Sequence, residues 1–111
     1  MLNHILVINS SASGQASVSR MLVGDLVKHL VEEHPQAKLS CRDLDAHPVA
    51  QLTSATLAGV RGLPQTDAEL AARDLSDELI DELRAADLVA IGAPMYNFSI
   101  PASLRTWYDH V

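Results

Sequence analysis

The spacing of apolar positions changes along the chain, and each change marks an element. His4 to Asn9 reads HILVIN, a short continuous apolar run rich in branched side chains, and predicts a strand buried on both faces. The small polar residues Ser10 to Ser17 follow as a loop. From Ser19, the apolar residues Leu22, Val23, Leu26, Val27, Leu30 and Val31 recur at helical spacing, with Lys28, Glu32 and Glu33 on the other side. That pattern predicts an amphipathic helix closing near His34-Pro35. Lys38 to Leu44 (KLSCRDL) predicts a second strand nearer a sheet edge, in which Cys41 is expected to be a small buried hydrophobe.

Thr53 to Val60 predicts a short helix ended by Arg61-Gly62-Leu63-Pro64. Thr66-Asp67-Ala68-Glu69 has capping-box spacing, in which hydroxyl and carboxylate each satisfy an amide at a helix start. The helix it opens is expected to run to about Ala86, with Leu70, Leu79, Ile80 and Leu83 among its buried positions. Leu88 to Ala93 (LVAIGA) is a third continuous apolar run, stopped by Pro94. A further helix is expected from Pro101, because proline's missing N–H costs nothing in a first helical turn. No terminator follows it by Val111.

Strands alternating with helices, joined by crossovers long enough to contain them, predict an α/β fold: a parallel sheet with helices on both faces. Three strands alone would leave the backbone edge of Leu88 to Ala93 and some apolar surface uncovered. Residues 1–111 are therefore expected to be the N-terminal, truncated part of a single domain, or to pair with another chain over that edge.

Composition narrows the function. The chain has 111 residues and 12.0 kDa, 48% of them hydrophobic and 20% charged, which suits one soluble globular unit and excludes a disordered chain. A closed monomer of that mass should expose roughly 6,000 Å². Every apolar run is far shorter than the ~20 residues of a membrane-spanning helix. The single cysteine, Cys41, forms no internal disulfide. A net charge of −6 without a basic run argues against nucleic acid. The absence of a basic segment before the first apolar run argues against a signal peptide and for a cytoplasmic protein. The five histidines lack metal-ligand spacing, and no Gly-x-Ser-x-Gly elbow is present. The acids from Asp74 to Glu82 read as a solvated helix face.

In open α/β sheets, ligands bind beyond the carboxyl ends of strands where the strand order reverses. Two segments fall there. Ser10 to Ser19 offers backbone amides and serine hydroxyls at a helix start, which either cap the helix or cradle a phosphate by neutral donors, since the loop holds no lysine. It is neither a Walker loop nor Gly-x-Gly-x-x-Gly. Pro94 to Pro101 places Met95, Tyr96 and Phe98 in a loop, where they either fill space beneath it or wall a flat ring that Asn97 and backbone amides can reach. Together, flanking a sheet of order 2-1-3, the two segments describe a flavodoxin-like site for flavin mononucleotide (FMN).

The chain resembles the FMN-dependent NADH:quinone oxidoreductases, or azoreductases, most distinctively in Ala93-Pro94-Met95-Tyr96-Asn97-Phe98. Ser11, Ser17-Val18-Ser19, Arg42-Asp43-Leu44 and Leu75-Ser76-Asp77-Glu78-Leu79-Ile80 are also similar to that family. The resemblance implies a 2-1-3-4-5 sheet in the intact family, of which this chain carries the 2-1-3 part. It implies that Ser11, Ser17 and Ser19, with the backbone of Val18, bind the FMN phosphate or ribityl tail. Met95, Tyr96, Asn97 and Phe98 would pack against and hydrogen-bond the isoalloxazine. It further implies a homodimer and ping-pong hydride transfer from NADH through the flavin to a quinone or azo compound, with no side chain as nucleophile. The family's later Ser-Arg-Gly-Gly loop has no counterpart in these residues. Alternatives are a one-electron flavodoxin-type carrier and a non-catalytic truncated remnant.

Overall fold

The computed structural model describes residues 1–111, apart from the side chain of Gln15. Three strands, β1 (His4–Asn9), β2 (Lys38–Asp43) and β3 (Leu88–Gly92), form a parallel sheet in the order β2-β1-β3. Val7 of β1 stands opposite Cys41 on one side and Ala90 on the other. The helices are α1 (Val18–Glu33), α2 (Leu57–Arg61), α3 (Asp67–Ala85) and α4 (Ala102–His110).

The continuous apolar run of β1 is explained by its central place, because alternate side chains feed two separate cores. Leu6 and Ile8 pack with Leu44, Leu79, Leu104 and Trp107 on the α3/α4 face. Ile5 and Val7 pack with Val23 and Leu30 of α1 on the other. Local chemistry sets the ends. Ser17 caps α1 by accepting from the N–H of Arg20. Thr66 and Glu69 form the expected capping box at α3. The Asp87 carboxylate accepts the N–H groups of Asn3 and His4, closing the start of β1 against that of β3.

Three expectations need correction. Cys41 is exposed. It lies on the same face as Val7, but α1 packs over β1 and β3 and leaves that side of edge strand β2 open. Leu70 is 47% exposed, because the inward line of α3 is Ala72, Ser76 and Leu79, and a residue two positions before Ala72 points nearly the opposite way. The short helix begins at Leu57 and not at Thr53. The Thr56 hydroxyl instead bonds the Thr53 backbone in a turn that competes with helix, accepting the Thr53 N–H at 2.9 Å, while the Thr53 hydroxyl accepts the Ala55 N–H.

The accessible surface is 6991 Å², above that expected of a closed monomer of this mass. Met21, Leu22 and Leu26 of α1, Leu39 of β2 and Ile91 of β3 account for part of the excess. At Gly92 helix α1 approaches the sheet closely: a Cβ there would lie 2.9 Å from Val23 Cγ2 and 3.1 Å from Asn9 Oδ1. Gly92→Ala should therefore push the start of α1 off the sheet and cost about 1–3 kcal/mol, read as a lower urea midpoint with an unchanged m-value. A midpoint equal to the wild type's would contradict that close approach.

Candidate functional site

The loops after β1 and β3 meet at the carboxyl end of the sheet. Ser10 ties them together, its hydroxyl donating to the Gly92 carbonyl at 2.6 Å and its N–H donating to the same oxygen at 3.2 Å. Ser103 at the start of α4 donates to the Ser10 carbonyl at 3.2 Å. A cleft of about 380 Å³ opens beside this junction, lined among others by Ala12, Asp45, Pro48, Tyr96 and Pro101.

On the β1 side the chain passes through a single 3₁₀ turn, Gly14–Ala16, before α1. Gly14 has φ +55°, a left-handed conformation that glycine alone adopts without cost. Ser17 then serves as N-cap, and its hydroxyl lies 3.0 Å from that of Ser19. Val18 and Ser19, the first two residues of α1, have N–H groups with no acceptor inside the helix. The structure thus brings the Ser17 and Ser19 hydroxyls together at a helix N-terminus, where the dipole favours an anion. No acid lies between Ser10 and Ser19. Ser11 turns elsewhere: buried, it accepts the N–H of Ser13 and faces the Tyr96 hydroxyl at 3.5 Å.

On the β3 side, Tyr96 and Ser99 pair as a tight hairpin, each N–H donating to the other's carbonyl at 2.9 and 3.0 Å. The two residues between them, Asn97 (φ 49°) and Phe98 (φ 62°), are both left-handed. Asparagine tolerates this; a bulky phenylalanine is strained there, by roughly 1–3 kcal/mol. Phe98 is also 94% exposed and Met95 70% exposed, so the turn holds an apolar wall open to solvent. The Tyr96 hydroxyl bridges the two loops by accepting the Ala12 N–H at 3.2 Å. Its hydrogen bond with Ser11, more than any other contact, holds the phenol below the usual tyrosine range.

Phe98→Gly should separate strain from use. The variant should be more stable than the wild type by about 1 kcal/mol, since glycine takes φ 62° freely, while any planar ligand loses its wall. Thermal unfolding checks the first part. A destabilised variant would mean that the turn is not strained.

Sequence reasoning missed Arg20 and Asp43. The Arg20 guanidinium forms a two-pronged pair with the Asp43 carboxylate, both bonds at 2.8 Å, and also donates to the Ser11 carbonyl at 3.2 Å. Asp43 in turn accepts the N–H groups of Asp45 and Ala46. The guanidinium, followed by those amides, holds the Asp43 carboxyl well below the usual carboxylate range. Asp43 lies within a stretch marked by resemblance, but nothing in the spacing links it to a helix residue 23 positions earlier.

Comparison with known proteins places this geometry. An FMN-dependent NADH:quinone oxidoreductase of Hyphomonas neptunium is 56% identical over 110 residues, covering 99% of this chain and 53% of that protein. Its counterpart 2 in Pseudomonas fluorescens is 43% identical, covering 99% and 56%. The chain thus spans about half the length of the curated relatives it matches. Among solved structures, an azoreductase from Bacillus anthracis superposes with TM-score 0.86 at 24% identity, over 97% of this chain and 54% of that one. An FMN-dependent NADH-azoreductase from the same species, in complex with FMN, gives TM-score 0.77 at 22% identity, over 98% and 55%. Both structural likenesses speak to the fold. Residues 3–111 match the protein family described as having a flavodoxin-like fold, and with a β2-β1-β3 sheet and helices on both faces, the chain belongs to that family.

Proposed function

We propose that this chain supplies the cofactor-binding part of an FMN-dependent oxidoreductase that passes hydride from NADH to quinones or azo compounds. The observation that carries the reading is the pairing of two unlike loops at one end of the sheet. One offers hydroxyls and free amides without an acid, and the other a strained, exposed aromatic turn.

The residues present fit FMN on chemical grounds. Ser17 and Ser19 would donate their hydroxyl protons to the phosphate, and the Val18 and Ser19 amides would complete a neutral donor set. Ser11 would reach the phosphate or ribityl end, and its bond to Tyr96 would couple the two loops. Met95, Tyr96 and Phe98 would cover one side of the ring system, with Asn97 and backbone amides supplying its polar contacts. Bound FMN would supply the two-electron chemistry, taking hydride from NADH and delivering it to the acceptor. The protein's part is to orient the ring and keep water from it, so no catalytic side chain is required.

In this reading residues 1–111 are the N-terminal part of a larger flavodoxin-like unit. Support comes from the half-length match to the relatives and from the apolar surface exposed on α1, β2 and β3. A homodimer whose subunit boundary completes the substrate cleft belongs to the same proposal, as does the cytoplasm, where NADH is supplied. Among the described residues, no helix is long and apolar enough to cross a membrane.

Titrating FMN with the chain and following flavin fluorescence tests the binding, and adding NADH tests the electron path. Quenching with bleaching of the bound flavin is expected. Quenching without bleaching favours a one-electron carrier, and no quenching overturns the proposal.

A further inference from the structure

We propose that Arg20 and Asp43 are positioning residues, an ion pair that locks the serine loop in its phosphate-receiving shape without touching the phosphate. The inference rests on the proposed FMN site. Arg20 is the third residue of α1, in the first helical turn, where the dipole opposes a cation. An arginine placed there for an anionic ligand would keep guanidinium protons free. Here three of the five guanidinium N–H groups are engaged by Asp43 and the Ser11 carbonyl, and a fourth, at Nε, is buried without a partner. The two-pronged edge with which an arginine would meet a phosphate is already taken by Asp43.

The pair joins three walls of the site. Through Arg20 it grips the start of α1, three residues from the Ser17 cap and adjacent to Ser19. Through Ser11 it fixes the first turn of the loop after β1. Through Asp43 it holds the turn after β2, whose Asp45 lines the same cleft as Ala12 and Tyr96. A two-pronged arginine–carboxylate contact fixes orientation as well as distance, which a lysine cannot reproduce. Because its charges cancel, the pair leaves the anion to neutral donors.

Three variants test this: Arg20→Lys, Arg20→Met and Asp43→Asn, each measured for FMN and for riboflavin, which lacks the phosphate. Each variant should lose about tenfold in FMN affinity while riboflavin affinity changes little, as for loss of a correctly shaped donor set and not of the ring site. In the flavin-free chain, amide hydrogen exchange from Ala12 to Ser17 should quicken in Arg20→Met while that of β1 is unchanged. If Arg20 were itself a phosphate ligand, Asp43→Asn would free it and tighten FMN binding, which would overturn the proposal. Unchanged FMN affinity in all three variants, or equal losses for both flavins, would also overturn it. Should the wild-type chain bind no FMN, the flavin reading fails on its own. The exchange data then decide the positioning role, with unaltered loop exchange in Arg20→Met counting against it.

Discussion

Ser19→Asp is expected to hold or slightly raise the stability of the chain while lowering FMN affinity by about a hundredfold or more. The two effects have opposite signs because they have different causes. Ser19 is the second residue of α1, and an acid in a first helical turn gains roughly 0.3–1 kcal/mol from the dipole. The same carboxylate would stand beside Ser17, where the proposed phosphate sits. Two like charges about 4 Å apart repel by about 4 kcal/mol at a surface-like dielectric, which outweighs the helix gain. Replacing Ser17 and Ser19 together with Ala should also weaken FMN binding about a hundredfold, through loss of two hydrogen bonds to a charged group costing on the order of 3 kcal/mol. That double variant also loses the cap of α1, at about 1 kcal/mol of stability, so the aspartate variant is the cleaner comparison. Fluorescence titration beside thermal unfolding reads both quantities; a more stable variant with wild-type FMN affinity would remove the phosphate from this helix.

Trp107→Ala should destabilise the chain by about 3–5 kcal/mol, more than either the lost cap of α1 or the crowding caused by a Cβ at Gly92. Trp107 is buried with Leu6, Ile8, Leu79 and Leu104, and it anchors α4 to the sheet. Its indole N–H is buried without an acceptor. Trp107→Phe removes that unsatisfied donor, whose burial costs about 1–3 kcal/mol, along with some apolar area, so the two losses offset and the variant should lie near the wild type. The contrast between Ala and Phe is the diagnostic, measured by urea unfolding. The site should feel the same change, because α4 follows directly from the 94–100 loop and Ser103 on α4 holds the Ser10 carbonyl. Comparable losses in both variants would mean that the indole N–H is satisfied after all.

The sequence was most readable where one periodicity or one short-range motif decides the outcome. β1 could be read from HILVIN because a strand buried on both faces needs an uninterrupted apolar run, and Thr66 and Glu69 because a capping box is complete within four residues. Cys41 and Leu70 were misplaced for the opposite reason: their exposure depends on which strands α1 covers and on the rotation of α3, both tertiary properties. The serine loop could be recognised, but the division of labour within it could not. Only the folded chain directs Ser11 toward Tyr96 and pairs Ser17 with Ser19. Neither could the left-handed Asn97-Phe98 turn be foreseen, since the glycine that usually signals such a turn is replaced by phenylalanine. Arg20 and Asp43 meet across 23 residues with no local pattern to announce them.

The most direct test of the central claim, that both loops hold one FMN, is an amide chemical-shift map of the chain recorded during an FMN titration. The largest changes should cluster at Val18 and Ser19 and at Tyr96 to Ser99 together, saturating at one FMN concentration, and riboflavin should leave the first cluster nearly unmoved. Shifts confined to one loop, or centred away from the carboxyl end of the sheet, would contradict the account.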